Sequence, residues 1–219
     1  MCQVAERFAS EGLHKTTDRA FLFDVSKGEV TRRAIIDSAL DRAGEVGLEG
    51  VTLGVLAEDL RLSKSGLFAH FKSKEALQLE VLDAAVERFV AEVVRPAITE
   101  PRGEPRVRAL ADRYLKWISG GNHRGGCLFM ALSYEYDDRP GTIRDRLVRS
   151  QRDWLDTIAR AARLAVDEGH FRDDLDAEQF AWEFFGIAMA YHQASRLFED
   201  PAADTRARTG FAALIKRSR

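Results

Sequence analysis

Between Arg61 and Lys74 the chain carries donors on small or basic side chains, with no acid among them: Arg61, Ser63, Lys64, Ser65, His70, Lys72 and Lys74, with Gly66 in their midst. Each suits the edge of a DNA duplex. Lys64 can donate to guanine O6 and N7, Ser65 can donate or accept, and Gly66 lets backbone approach a base or phosphate. His70, Lys72 and Lys74 fall where donors commonly meet phosphate oxygens.

Such residues need elements that aim them. Thr52 has the residue type of an N-cap, and Leu53, Leu56, Ala57 and Leu60 follow at helical spacing on one face. Ala57 is small enough there for a second helix to cross closely. Ser63 caps that second helix, in which Leu67 and Phe71 face inward and turn Lys64, Ser65, Phe68 and Lys72 to the other side. The spacing predicts a helix-turn-helix over 52–71. Spacing alone leaves two readings open, DNA recognition and ordinary packing of two amphipathic helices.

A helix is expected from Thr31 to about Glu45, with Ile35, Ala39, Ala43 and Val46 on one face and Gly47 as its stop. From Ser73 a long amphipathic helix should run to Arg95, where Pro96 ends it. Further helices are expected over 104–119, 127–136, 142–168, 176–198 and about 203–216, separated by Pro101, Pro105, Pro140, Pro201 and glycines. With no alternating strand pattern, the fold class is all-α. Residues 1–26 show no sustained period and read as an N-terminal arm, whose order the sequence leaves open.

The segment from Lys27 to about Leu82 resembles the tetracycline-repressor-like (TetR) family of bacterial regulators. The likeness lies in T-R-R-A-I-I-D-S-A-L from Thr31, the glycines around Leu48, and above all L-S-K-S-G-L-F-A-H-F-K-S-K-E-A-L from Leu62 to Leu77. It implies a three-helix DNA-binding domain over 27–76, joined by a long helix to an effector-binding and dimerisation domain over 77–219. Two positions depart from the family pattern. Phe68 stands where tyrosine is usual, removing a hydroxyl that would reach a phosphate. Arg61 stands where the turn usually has glycine, and must take a left-handed backbone at about 1 kcal/mol. The second half resembles the family through G-G-C-L-F from Gly125, D-D-R-P-G from Asp137 and D-E-G-H-F from Asp167.

The resemblance implies a homodimer whose last two long helices pair with their counterparts, so that two motifs read half-sites about 34–36 Å apart. Candidates for that face are Phe180, Phe184, Ile187 and Tyr191, with Gly186 and Ala190 beside them, and Phe211, Leu214 and Ile215. An effector pocket for an apolar or aromatic small molecule would draw on Trp117, Phe129, Met130, Tyr134, Trp154, Phe185, Met189 and His192. Asn122, His123 and Arg124 are polar groups that could orient a ligand. The expected activity is that of a ligand-responsive repressor on a palindromic DNA operator, with Thr52, Arg61, Ser63, Lys64, Ser65, Gly66, Phe68, His70, Lys72 and Lys74 at the DNA.

Composition agrees with a helical two-part protein: 219 residues, 45% hydrophobic, 31% charged, formal net charge -2. No apolar run approaches the roughly 20 residues that span a bilayer, and a cytoplasmic location is expected. A net negative charge argues against nucleic acid unless cations are segregated, which the acid-free stretch after Arg61 provides. Cys2 and Cys127 make no disulfide framework. The loop S-G-G-N-H-R-G-G from Ser119 follows a helix and lacks the lysine of a phosphate loop. No G-x-S-x-G or H-E-x-x-H occurs, and the five histidines show no metal-ligand spacing, so neither enzyme, cofactor nor metal is expected. A helical protein-interaction adaptor and an enzyme of unrecognised type are the alternatives.

Overall fold

A computed structural model describes residues 27–120 and 126–219, apart from the side chains of Lys27, Lys64 and Phe68. The N-terminal arm, with Cys2, and the polar candidates Asn122, His123 and Arg124 lie outside the described residues. Every regular element described is helical.

Helix α1 spans Lys27–Val46. Gly47, at φ 73°, ends it with its N–H donated to the Ala43 carbonyl, a left-handed stop that glycine adopts without strain. Ile35, Ala39 and Ala43 are fully buried as expected, but Val46 is 50% exposed. Chain reversal at Gly47 brings Leu48, not Val46, into the core.

Helix α2 (Leu53–Asp59) is capped by Thr52 Oγ1, which accepts from Val55 N at 3.3 Å. Helix α3 (Lys64–His70) is capped by Ser63 Oγ, which accepts from Gly66 N at 3.1 Å. The turn between them closes with Leu62 N donating to the Ala57 carbonyl at 2.8 Å and Arg61 N to the Glu58 carbonyl, the paired bonds of a Schellman motif. That motif needs a left-handed residue, and Arg61 fills it at φ 54°. Leu56, Leu67 and Phe71 seal the crossing from inside.

Helix α4 (Lys74–Phe89) starts at Ser73, whose Oγ accepts from Ala76 N. It does not end at Pro96. It passes through a π-helical turn, Val90–Val94, into a last α-helical turn, Arg95–Ile98. Widening to i→i+5 bonds, as Arg95 N makes to the Val90 carbonyl, accommodates a ring that lacks an N–H and would crowd the carbonyl four residues back.

The remaining body comprises α5 (Glu104–Ile118), α6 (Leu128–Tyr136), α7 (Thr142–Asp167), α8 (Ala177–Arg196) and α9 (Ala203–Ser218). Asp176 Oδ1 caps α8 by accepting from Gln179 N. At the centre Phe89 of α4 meets Trp154 edge-on at 4.9 Å between ring centroids, Tyr114 meets Trp154 at 4.9 Å, and Phe184 lies 4.6 Å from Phe211. Aromatic burial of this kind contributes beyond its area and ties α4, α5, α7, α8 and α9 together. No described helix is long and apolar enough to cross a membrane.

Candidate nucleic-acid interface

Ion pairing decides where positive charge survives. In α1, Arg32 pairs with Glu80, Arg33 lies 3.7 Å from Asp37, and Arg42 lies 3.0 Å from Asp59. Lys74 Nζ donates to the Glu49 carboxylate at 2.8 Å and to the Glu49 carbonyl at 2.9 Å. Arg61 and Lys72, at either end of α3, are exposed and make no ion pair or hydrogen bond through their side chains within the described residues. A neutral body therefore presents a local basic edge.

The predicted contact residues divide accordingly. Ser65 is exposed, with its Oγ 3.2 Å from that of Ser63. The Ser63 oxygen is already used as the cap, and Gly66 supplies the N–H it accepts. A Cβ on Gly66 would lie 3.1 Å from Ser63 Oγ, so the glycine serves the cap as well as the surface. Thr52 is exposed while capping α2. His70 is half-buried and its carbonyl accepts from Arg32. Lys74 is held by Glu49 against the α1–α2 turn and so has a structural partner of its own. Lys64 and Phe68 begin and line α3, but their side chains lie outside the described residues.

Two supports were not legible in the sequence. Arg32 of α1 donates to the His70 carbonyl and to Glu80, with its guanidinium 4.7 Å from the centroid of the Phe71 ring. This anchors the exit of α3 to α1 and α4. On the other side, the turn at 47–50 is gripped by α6, which lies far along the chain. Glu135 accepts from Leu48 N at 3.1 Å and from Glu49 N at 2.7 Å, while Gln78 donates to the Leu48 carbonyl at 2.8 Å. Tyr136 donates to Glu49. The Lys74 hydrogen bond holds the Glu49 carboxyl below its ordinary value, and burial with the Glu135 and Glu49 charges pushes the Tyr136 phenol up. The phenol stays a donor and the carboxylate an acceptor.

The effector candidates separate into core and cleft. Trp117, Phe129 and Trp154 are buried in the aromatic centre, where Trp117 only borders a crevice of about 10 Å³, and Phe185 packs partly against the core. The rings of Trp117, Phe129 and Trp154 each pack against Phe89, so in this structure these three are core residues rather than lining of the open cleft. Met130, Tyr134, Met189 and His192 do come together, with Gln193, Arg196 and Leu197, around an open cleft of about 330 Å³. Burial first and the Arg196 charge second lower the His192 pKa, and its Nε2 is buried with no partner within the described residues. Cys127 is buried and burial raises its thiol pKa, which makes thiolate chemistry less accessible.

The candidates for the dimer face need correction too. Phe180, Phe184, Tyr191, Phe211, Leu214 and Ile215 are all buried within the protomer, Phe184 to 1%. They form the seam between α8, α9 and the body; Ile187 is half-buried, its side chain beside Gly210. The exposed face of α8 is instead Trp182, Gly186 and Ala190, with Trp182 at 68% exposure and open space around Gly186.

Two short capped helices crossing at a left-handed turn, mounted through one long helix on a helical body, place the protein in the helix-turn-helix class. Residues 35–81 match the description "Bacterial regulatory proteins, tetR family", and residues 103–211 match "Tetracyclin repressor-like, C-terminal domain". The chain belongs to the tetracycline-repressor family. It is 32% identical over 151 residues to the HTH-type transcriptional regulator TcmR of Streptomyces glaucescens, a match covering 66% of this chain and 63% of TcmR. The chain thus spans less than two thirds of that relative's length. In three dimensions it resembles a TetR transcriptional regulator from Chloroflexus aurantiacus, with a TM-score of 0.78 at 23% identity over 87% of this chain and 94% of that one. AibR, solved in complex with isovaleryl coenzyme A and operator DNA, shares the fold with a TM-score of 0.68 at 20% identity, over 84% of this chain and 97% of AibR.

Proposed function

We propose that the protein is a ligand-responsive transcriptional repressor that binds a palindromic DNA operator as a homodimer. Helix α3 lies in the major groove with Ser65 toward base edges and Lys64 as the base contact expected from sequence, while Arg61, Thr52 and Lys72 meet phosphates. The observation that carries this reading is the survival of unpaired cations only beside α3, among the DNA-side cations whose side chains are described. Residues 27–76 are the DNA-binding unit and 77–219 the effector and dimerisation unit, with α4 shared between them. The dimer forms through the outward face of α8, with two-fold symmetry setting the half-site spacing.

The effector is a small molecule with an apolar or aromatic body, and the cleft beside Met130, Tyr134, Met189 and His192 is its site. Its volume of about 330 Å³ falls within the range of small-molecule pockets. A ligand releases DNA only by preferring the state in which the two α3 helices no longer match successive grooves. Gel shift on DNA from upstream of the chain's own gene, repeated across salt concentrations, tests the reading. A retarded band on one duplex, weakening as salt rises, is expected. Equal binding to every duplex, or none at low salt, refutes it.

A further inference from the structure

The cleft between α6 and the end of α8 has two chemically distinct parts. Met130, Met189 and Leu197 supply apolar surface, and Tyr134 adds an exposed ring. The polar part comes from one stretch of α8, His192, Gln193 and Arg196, and among the described residues no carboxylate lines the cleft. Arg196 is the one formal charge among its described lining residues.

Among the described residues that charge has no counter-charge: Arg196 makes no hydrogen bond or ion pair there, whereas arginines such as Arg32, Arg146 and Arg219 are paired with carboxylates. Its stem passes close to Gly126: a Cβ there would lie 3.2 Å from Arg196 Cδ and 3.3 Å from Nε, so a larger residue would push the arginine aside. Beside it, the imidazole of His192 buries an Nε2 that nothing described satisfies. Burial and the Arg196 charge keep that ring neutral near neutral pH, free to donate or accept one hydrogen bond.

These groups select a ligand by what each would otherwise lose. A cation placed here faces Arg196 with no counter-charge. A neutral apolar molecule covers the guanidinium and strips its water without replacing it. A carboxylate or sulfonate takes the fork of guanidinium donors and leaves the apolar body to Met130, Met189 and Leu197. We propose that the cleft binds an amphipathic anion, an apolar or aromatic body bearing one acidic group held by Arg196 and oriented by His192. This rests on the reading of the cleft as the effector site.

The test titrates the full chain with two fluorescent probes of similar shape, the anionic anilinonaphthalene sulfonate and the neutral N-phenylnaphthylamine. Arg196→Gln should weaken the anionic probe by about tenfold, the worth of one charge-assisted contact, and leave the neutral probe within about twofold. Arg196→Lys, which keeps charge but not the fork, should fall between. Met189→Trp, at a half-buried position that lines the cleft, fills it and should weaken both probes. If the loss for the anionic probe is less than about three times that for the neutral one, or if Met189→Trp leaves both unchanged, the proposal is overturned. Failure here with an intact operator gel shift removes the anion preference and spares the repressor. Arg196-dependent probe binding by a protein that retards no duplex does the reverse.

Discussion

Glu135→Ala removes the only described side chain that reaches the α1–α2 turn with a carboxylate from α6. Two amides lose a charged acceptor. The Glu49 amide is exposed, so water replaces the carboxylate at a cost of about 0.5 kcal/mol; the Leu48 amide is part-buried, and leaving it unmet costs about 1–3 kcal/mol. A loss near 2 kcal/mol follows, or about 4–8 °C in Tm for a chain of this size. Gly47 gives the sharper test. At φ 73° any Cβ costs about 1 kcal/mol, and that Cβ would lie 2.4 Å from Glu135 Oε2, so the carboxylate must leave. Gly47→Ala should therefore cost about 3 kcal/mol in the native chain but only about 1 kcal/mol in the Glu135→Ala background, since the grip is already gone. Urea melts of the four proteins measure the cycle, and hydrogen exchange at the Leu48 and Glu49 amides reports the grip itself. A cycle that adds within about 0.5 kcal/mol would show that Glu135 does not hold the turn.

Lys72→Ala should lower the salt dependence of operator binding by about one counterion while leaving Tm unchanged; Lys74→Ala should do the opposite, since its ammonium is committed to Glu49 and such a pair is worth about 0.2–1 kcal/mol. Arg61→Gly should raise Tm by about 2–4 °C, because the left-handed turn stops costing about 1 kcal/mol, and a fall would mean the arginine side chain packs. Hydrogen bonds from Arg219 and Arg108 hold the Glu104 carboxyl at about 2 against an ordinary 4.5. The unfolded chain thus takes up that proton first, so this stabilisation is complete above pH 4.5 and drains away toward pH 2; Glu104→Gln should flatten that part of the acid profile in denaturant melts. Trp182→Glu places a charge on the outward face of α8 and should shift sedimentation from dimer to monomer, with the circular dichroism spectrum preserved.

Local grammar made the helix-turn-helix legible. Thr52, Ser63 and Ser73 are capping residues at the right distance from apolar stripes, and all three accept the expected amide. The strained Arg61 was foreseeable because the turn demands a positive φ wherever a residue sits in it. Partners distant in the chain were not foreseeable. Lys74 reads as a phosphate donor until Glu49 is found against it, and Glu135 gives no local sign that it caps backbone 86 residues away. Pro96 reads as a stop because single-sequence rules assume i→i+4 bonding, and a π turn escapes that assumption.

Helix α8 shows why periodicity names a face without naming its neighbour. Phe180, Phe184, Ala188 and Tyr191 recur at helical spacing, and so do Trp182, Gly186 and Ala190. Both stripes are apolar, and either could have met a second subunit. Burial separates them: the aromatic stripe is absorbed by Phe211, Tyr114 and Trp154 of the same protomer, where large side chains fill the centre at native packing density. What remains outside is the stripe of one tryptophan and two small residues, flat enough for another helix to approach closely. The aromatics that stand out in the sequence are therefore those that build the core of the protomer, and the inconspicuous glycine and alanine are those that stay on its outer face.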